Sequence, residues 1–525
     1  MSRTTTLPNS DESRSGFLAL MRHRNYGLLW GGQLVSQVGD RFHWVAISLW
    51  VYAQTGSALS VSYAITALMV APALVGFYAG TLVDRYDRRR ILIAADLVRA
   101  GLVAAIPWLM QQGIAWVYLD LFLISSASAF FRPAMFAAIP QSVPKPRLLQ
   151  ANAFFASMDS STEVFGPALA GLVVAKFGYA SAMYIDAVTF LVSALFVSGL
   201  SLPRPEPSAS DARVAGRPGT LQSIREGLRY IRGDRVQVAL LGFLLAGFWV
   251  AGLNSLQTPL AKGVLGITDD QFGWFQSIWG VGFIGSALLM GWYGGRFPKG
   301  YAIVFAYLLW AAAAGVMGLS PNYGVLVVTG FWVGFANMLL FVNVSTILME
   351  HTPPDKIGRV ITTRQVMVAL IRVIALLGFG WLADVTSVRM AILVMAGVSF
   401  VGTLAATIKY PELWRYRSPT EPSPGEDVVV RRPAVAGPAG LVMHYLETHT
   451  DSEFVVAEQR WLNAASLLII GVGWVALLVT MPVHALGIAV VIAGAIGGAG
   501  LVRVVAERLK PVLEERERRG AGPAS

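Results

Sequence analysis

Apolar residues run along this chain in blocks of about twenty or more, long enough for membrane-crossing helices and too continuous for the alternation of a half-buried strand. The blocks fall at 25–53, 60–82, 91–111, 115–138, 152–175 and 181–200, and again at 236–261, 271–293, 301–319, 322–349, 359–383 and 387–409. In hydrocarbon a helix satisfies its own backbone groups, so the pattern predicts an all-α polytopic membrane protein. It divides the chain into a six-helix half at 25–200 and a second at 236–409. Residues 201–235 between them are rich in Pro, Ser and Arg and end in "LQSIREGLRYIRGDR". This stretch is predicted to be a cytoplasmic linker with an amphipathic helix lying along the membrane. Beyond the twelfth block come a polar segment at 410–460, two more apolar runs (462–480 and 484–503) within 461–505, and a charged tail at 506–525. Those two runs predict two additional C-terminal transmembrane helices.

Composition agrees: 55% of the 525 residues are hydrophobic and 14% charged, a balance no soluble globule carries. A net charge of +10 raises nucleic acid as a partner. The basic residues, however, sit in short loops between blocks rather than on one soluble face, which argues for no nucleic-acid partner and for a role in orientation. Arg85, Arg88, Arg89, Arg90, Lys145, Arg147, Arg296, Lys299 and the arginines of 201–235 lie in alternate loops, whereas the opposite loops hold only Lys176, Lys262 and Arg389. The positive-inside rule therefore places the polar N-terminal segment 1–24 and the C-terminus in the cytoplasm. There is no cysteine, hence no disulfide and no thiolate metal ligand.

The two halves echo each other. "GTLVDRYDRR" (80–89) aligns with "GWYGGRFPKG" (291–300), pairing Gly80 with Gly291 and Arg85 with Arg296, and a second landmark, "VPKPRLLQ" with "GPALAG", meets "TPPDKIGRV" with "GFGWLAD" at a similar spacing. Parallel six-helix repeats joined by a cytoplasmic linker are one transporter architecture, with its site between the halves at mid-membrane.

These residues resemble a known family. Gly80-x-Leu82-x-Asp84-Arg85-x-x-Arg88-Arg89 is similar to the loop 2–3 signature of the major facilitator superfamily, with Asp87 where that pattern has a second glycine. "GPALAG" (166–171) resembles the antiporter signature of its exporters. "YGLLWGGQLVSQVGD", "TGSALSVS", "FRPAMFAAIP", "YIDAVTF" and "EGLRYIRGD" resemble the drug:proton antiporter branch that includes enterobactin and macrolide exporters. The resemblance covers about residues 20–410. It implies the major facilitator fold, alternating access, and export of a small-molecule substrate in exchange for protons, in the inner membrane of a bacterium. It also implies that Gly80, Asp84, Arg85, Arg88 and Arg89 form a gating motif that latches onto Arg359 at the start of span eleven; the plainer alternative is that the arginines anchor topology and headgroups.

Ionisable residues inside spans are costly and so are functional candidates. Asp40 and His43 share a helical face and are candidates for holding or passing a proton, or else for a structural ion pair with Arg41 or Arg132. Asp159 and Glu163, at i,i+4 in span five, are expected to share a proton near neutral pH or to hold a cationic substrate; the alternative for Asp159 is water at the cytoplasmic mouth. Asp96 and Arg99 read as a local ion pair beside the gate. Asp186 reads as structural, near the outer end of span six. Gly166, Pro167 and Gly171 allow a kink and close packing.

No Gly-x-x-x-x-Gly-Lys-Ser/Thr loop occurs, which argues against a primary pump, and no nucleophile–base pairing or metal-ligand cluster argues for an enzyme. The reading is a secondary active efflux transporter, with no cofactor and no metal, working as a monomer in the lipid bilayer. A lysolipid translocator or a non-transporting scaffold of the same fold stays open.

Overall fold

The computed structural model describes residues 20–201, 220–293, 298–353, 356–414 and 416. The segments expected at 1–19, 202–219 and 417–525, including both additional C-terminal helices, and Arg296 lie outside the described residues.

Each of the first six apolar blocks is one long helix. They are α1 (Arg24–Thr55), α2 (Ala58–Arg85), α3 (Arg88–Gln112), α4 (Ile114–Ser142), α5 (Leu148–Phe177) and α6 (Tyr179–Ser198). The amphipathic stretch forms α7 (Thr220–Gly233). The second set is α8 (Arg235–Val264), α9 (Asp269–Tyr293), α10 (Lys299–Gly318), α11 (Tyr323–His351), α12 (Ile357–Val385) and α13 (Val388–Lys409), with a short α14 (Pro411–Trp414) after it. No strand occurs among the described residues. Ten of the helices are long and apolar enough to cross a membrane. The two of comparable length that fall short are α1 and α5, which carry Asp40, Arg41, Asp159 and Glu163 in mid-helix.

Local chemistry sets the boundaries. Ser57 caps α2 by accepting from the Ser60 N–H, Asp234 caps α8 by accepting from Gln237, and Asn322 and Ser387 do the same for α11 and α13, each satisfying one of the orphan donors at a helix start. Asp87 caps α3, its carboxylate accepting from the Arg89 N–H at 2.9 Å. This explains why the loop needs no second glycine: no residue there takes a positive φ, and the turn is closed by a cap. α8 is one span but not one regular helix. It tightens over Phe248–Gly252 and widens into a π-type turn over Pro259–Val264, a break that the apolar pattern at 236–261 does not reveal.

The same neighbours recur in both sets. α1 packs on α5 and α6, α2 on α4, and α3 on α4 and α6; correspondingly α8 packs on α12 and α13, α9 on α11, and α10 on α11 and α13. Short connections make successive helices antiparallel, so the bundle has a linker end, where α7 lies, and a far end. At the linker end His351 meets Asp234 at 2.9 Å and Lys299 meets Glu350 at 2.6 Å. At the far end Lys262 meets Asp269 at 2.7 Å.

The halves join along two seams, α5 with α9 and α2 with α12. In the first, Gly171 faces Gly273 so closely that a Cβ on Gly171 would stand 2.8 Å from the Gly273 Cα. Ser277 Oγ accepts from the Ala168 N–H at 2.9 Å. In the second, Asp384 accepts from Ser57 Oγ and from the Ala58 and Leu59 N–H groups, and Ser62 Oγ donates to the Leu376 carbonyl at 2.8 Å. All of these contacts lie in the far half of the bundle.

Candidate functional site

Between the seams, on the linker side, polar residues are exposed at depths where lipid would penalise them. Asn152, Ser157, Asp159, Ser160 and Ser161 of α5, Asp40 of α1 and Arg132 of α4 are all exposed. Charged groups so deep in a membrane protein face a water-filled space rather than hydrocarbon. They give the first half a polar, accessible face on the linker side of the two seams, which we read as the wall of a cleft between the halves.

On one wall of the cleft α1 and α5 are joined by a two-rung ladder. Gln37 Nε2 donates to Asp159 and Arg41 pairs with Glu163. The spacing is four residues on both helices, so both rungs lie on facing sides. Thr162 Oγ1 adds a bond to Gln37 Oε1 at 3.0 Å. Asp159 and Glu163, expected to act on each other at i,i+4, each have a partner from α1 instead. Gly166 makes the second rung possible, since a Cβ there would stand 2.5 Å from the Arg41 Cγ. The carbonyl of Pro167 packs against Gly273. In the "GPALAG" stretch, therefore, Gly166 admits an arginine, while Pro167 and Gly171 admit the opposite half.

Asp40 and His43 part company. Asp40 is exposed to the cleft, where the charges acting on it are those of Arg99, Arg41 and Arg132; among the described residues it makes no ion pair within 4.0 Å. His43 is buried and turns to Asp186 of α6, with 3.7 Å between Nδ1 and Oδ2. Asp186 is 1% exposed. It faces the interior of the first half, and Gly39 leaves the room it occupies. Beside it, Arg99 pairs with Asp96, both buried. The Arg99 guanidinium lies between the rings of Phe131 and Phe190, 4.2 Å from each centroid, a cation–π sandwich that replaces part of its lost hydration. The Asp96–Arg99 ion pair forms as the spacing suggests, but inside the bundle and within electrostatic reach of Asp40 and Asp186.

At the linker end, Arg359 of α12 pairs with Glu226 of α7 at 2.9 Å. Gly227 packs on Thr363 and the Arg359 carbonyl, and Lys356 lies 5.0 Å over the Tyr230 ring. Arg89 donates to the Ser198 carbonyl, tying α3 to the end of α6. Arg88 is the first residue of α3. Gly80, Asp84 and Arg85 fall in the last turns of α2, and their side chains lie outside the described residues.

The family profile of the Major Facilitator Superfamily matches residues 29–262 and 250–512. The chain belongs to this superfamily. Among its relatives, an MFS-type transporter of Bacillus subtilis, YfiS, is 27% identical over 70% of this chain and 88% of its own length. Macrolide efflux protein A of Streptococcus pyogenes is 26% identical over 68% and 88%. The multidrug efflux pump Tap of Mycobacterium bovis is 26% identical over 75% and 96%. Solved structures show the same fold: the nucleoside transporter NupG at a TM-score of 0.59 and 14% identity, covering 73% of this chain and 99% of that one, and a bacterial Spinster homologue in an inward-facing state at 0.58 and 13%, covering 76% and 99%. The protein is thus an integral multi-pass membrane transporter of the superfamily. Its cleft lies where superfamily members of the parallel-repeat type place a substrate, between the halves near mid-membrane. Sequence reasoning named most of the charged cleft residues because charge inside an apolar block stands out. It missed Gln37, Arg41 as the partner of Glu163, and His43 as the neighbour of Asp186. The lone acid in "YIDAVTF" stood out, but nothing in one dimension says which helix it faces.

Proposed function

We propose that the protein exports small amphiphilic molecules, of the macrolide or lipophilic-cation type, by alternating access in exchange for protons. The observation that carries this reading is the acid-bearing cleft: Asp40, Asp159 and Glu163 at mid-depth, with Arg41 paired to Glu163 on the same wall and the far end held by the two seams. The relatives named for macrolide and multidrug efflux support the direction and the substrate class. In this reading both termini are cytoplasmic, the linker end is the cytoplasmic end, and the state with the far seams closed is the one that loads substrate.

In this reading a substrate enters from the linker side. The ladder of Gln37, Arg41, Asp159 and Glu163 offers both signs of charge beside apolar walls, which suits an amphiphile. Outward opening requires the α5–α9 and α2–α12 seams to part at the far end while the linker end closes. Arg359 then exchanges Glu226 for the loop 2–3 motif, so that Gly80, Asp84, Arg85, Arg88 and Arg89 form the cytoplasmic gate. The negative Asp84 would also favour the positive start of α12.

The test is efflux of a macrolide and of a fluorescent lipophilic cation from proteoliposomes holding the full chain under an imposed pH gradient. Gradient-dependent export, weakened in Asp40→Asn and in Glu163→Gln, is the expected result. Export indifferent to the gradient and to both substitutions overturns the reading.

A further inference from the structure

The pair formed by His43 and Asp186 is not part of the cleft wall. His43 is 6% and Asp186 1% exposed. Neither ring nitrogen of His43 nor the Asp186 Oδ2 has a hydrogen-bond partner among the described residues. Their separation of 3.7 Å is within ion-pair range but too long for a hydrogen bond, which at this kind of contact needs about 2.7–3.2 Å. Two complementary ionisable groups are thus buried side by side with unused capacity for a proton. An arrangement serving stability alone would close that gap or fill it with an apolar residue, because an unsatisfied buried polar atom costs roughly 1–3 kcal/mol.

The surroundings suit a switch. On Asp186 act the negative charge of Asp40 and the positive charge of Arg99. Thr189 Oγ1 donates to Asp186 Oδ1 at 3.3 Å, leaving Oδ2 for His43. From α3 come Asp96 and Arg99, paired with each other; from α4, Arg132 acts on Asp40; from α5, Glu163 is engaged by Arg41. Asp40, three residues before His43 on α1, is exposed to the cleft and electrostatically coupled to Asp186. Its charge therefore acts on the buried pair from the cleft side. Gly39 gives Thr189 and Asp186 their space against α1: a Cβ on it would overlap Thr189 Oγ1 and stand 2.5 Å from Asp186 Oδ1.

We propose that His43 and Asp186 form a buried proton-binding pair, separate from the substrate-facing carboxylates, that discharges into the cleft through Asp40. This inference rests on the proton-antiport reading above and names its proton site. Loading adds one proton to the carboxylate beside a neutral imidazole, giving a carboxylic acid beside imidazole. Discharge returns that proton to cleft water. The loaded pair can close into a hydrogen bond, drawing α6 toward α1 by about an ångström. The discharged pair relaxes to the separation seen here. A packing change between α1 and α6 also reaches Phe190 and the sandwiched Arg99, so the proton is felt across the first half.

The experiment is pH-difference infrared spectroscopy on the full chain in lipid, for wild type, Asp186→Asn and His43→Gln. The expected result is a carboxyl band, gained on acidification by wild type, that is missing in Asp186→Asn and displaced in His43→Gln. Wild-type and Asp186→Asn spectra that superimpose overturn the proposal. If Asp186→Asn does not fold, a band unmoved in His43→Gln overturns it equally. In proteoliposomes, Asp186→Asn is expected to lower gradient-driven export about tenfold or more, within the usual range of coupling between sites, while leaving downhill exchange of substrate in place. Loss of both fluxes together in a folded variant marks Asp186 as structural and overturns the proposal. A wild type whose export ignores the pH gradient contradicts the antiport reading instead, and the spectra still decide the pair.

Discussion

Asp384, near the end of α12, caps the start of α2 in the opposite half: the Ala58 N–H donates to its Oδ1 at 2.7 Å. The Ser57 hydroxyl and the Leu59 N–H reach the same carboxylate. A helix start leaves N–H groups without partners and carries a partial positive charge. Here an acid from the other half satisfies both needs, so the cap is made only while the far end is closed. Removing it in Asp384→Ala takes away a term of about 1 kcal/mol from the closed state and shifts the equilibrium severalfold toward far-side opening. Because the native chain has no cysteine, a single Leu59→Cys reports this directly. Its labelling by a membrane-impermeant maleimide should speed up severalfold in the Asp384→Ala background. An unchanged rate would show that the cap holds nothing shut.

The glycine crossing makes a second prediction. At Gly273 a Cβ would overlap the Pro167 carbonyl and stand 2.8 Å from the Gly171 Cα, and both obstacles are backbone. Gly273→Val therefore pushes α5 from α9 rather than displacing a flexible side chain. Overpacking of this kind costs about 1–3 kcal/mol. A lowered melting temperature with loss of transport is expected, and Gly291→Val, where the Cβ would meet open space, is the control expected to do neither.

Arg41 and Glu163 are each partly exposed, so solvent screens their attraction. The prediction concerns coupling rather than magnitude. Arg41→Gln and Glu163→Gln each leave one charge unmatched at mid-depth, whereas the double variant leaves none. In a double-mutant cycle on thermal stability the double variant should lose less than the two single losses combined. Additive losses would mean that the rung is not an energetic unit.

The linker helix offers a fourth. Glu226→Gln frees Arg359 from its partner in this state. As a surface-type pair this changes stability by less than about 1 kcal/mol. If Arg359 exchanges Glu226 for the gate motif during the cycle, the variant should favour closure of the linker end. An increase in far-side labelling of Leu59→Cys is the expected readout, and a decrease would contradict the exchange.

The twelve long helices of the two sets were legible because each falls on a largely apolar block, ten of them long and apolar enough to cross a membrane, and backbone chemistry in lipid leaves little alternative to a helix. Their boundaries differ from the expected ones by a few residues, where caps such as Ser57 and Asp87 extend a helix beyond its apolar run. The break in α8 was hidden, since Phe248–Gly252 is as apolar as its flanks. Pairings were hidden for a different reason. Helical spacing places Asp40 with His43, and Asp159 with Glu163, on common faces, but which neighbouring helix each face meets is a property of packing in three dimensions. Thus His43 went to Asp186 and Glu163 to Arg41. Arg359 pairs with Glu226, a partner supplied by an amphipathic segment whose docking surface has no signature in its own pattern.

The central claim, exchange of substrate for protons, is tested most directly without any imposed pH gradient. The full chain is reconstituted in vesicles holding a trapped pH indicator, and a permanently charged lipophilic cation is added outside, so that no free base carries protons across. Substrate moving in should drive protons out, and the lumen should turn alkaline in protein-containing vesicles but not in protein-free ones. Entry of the cation with no change in lumenal pH would contradict the account.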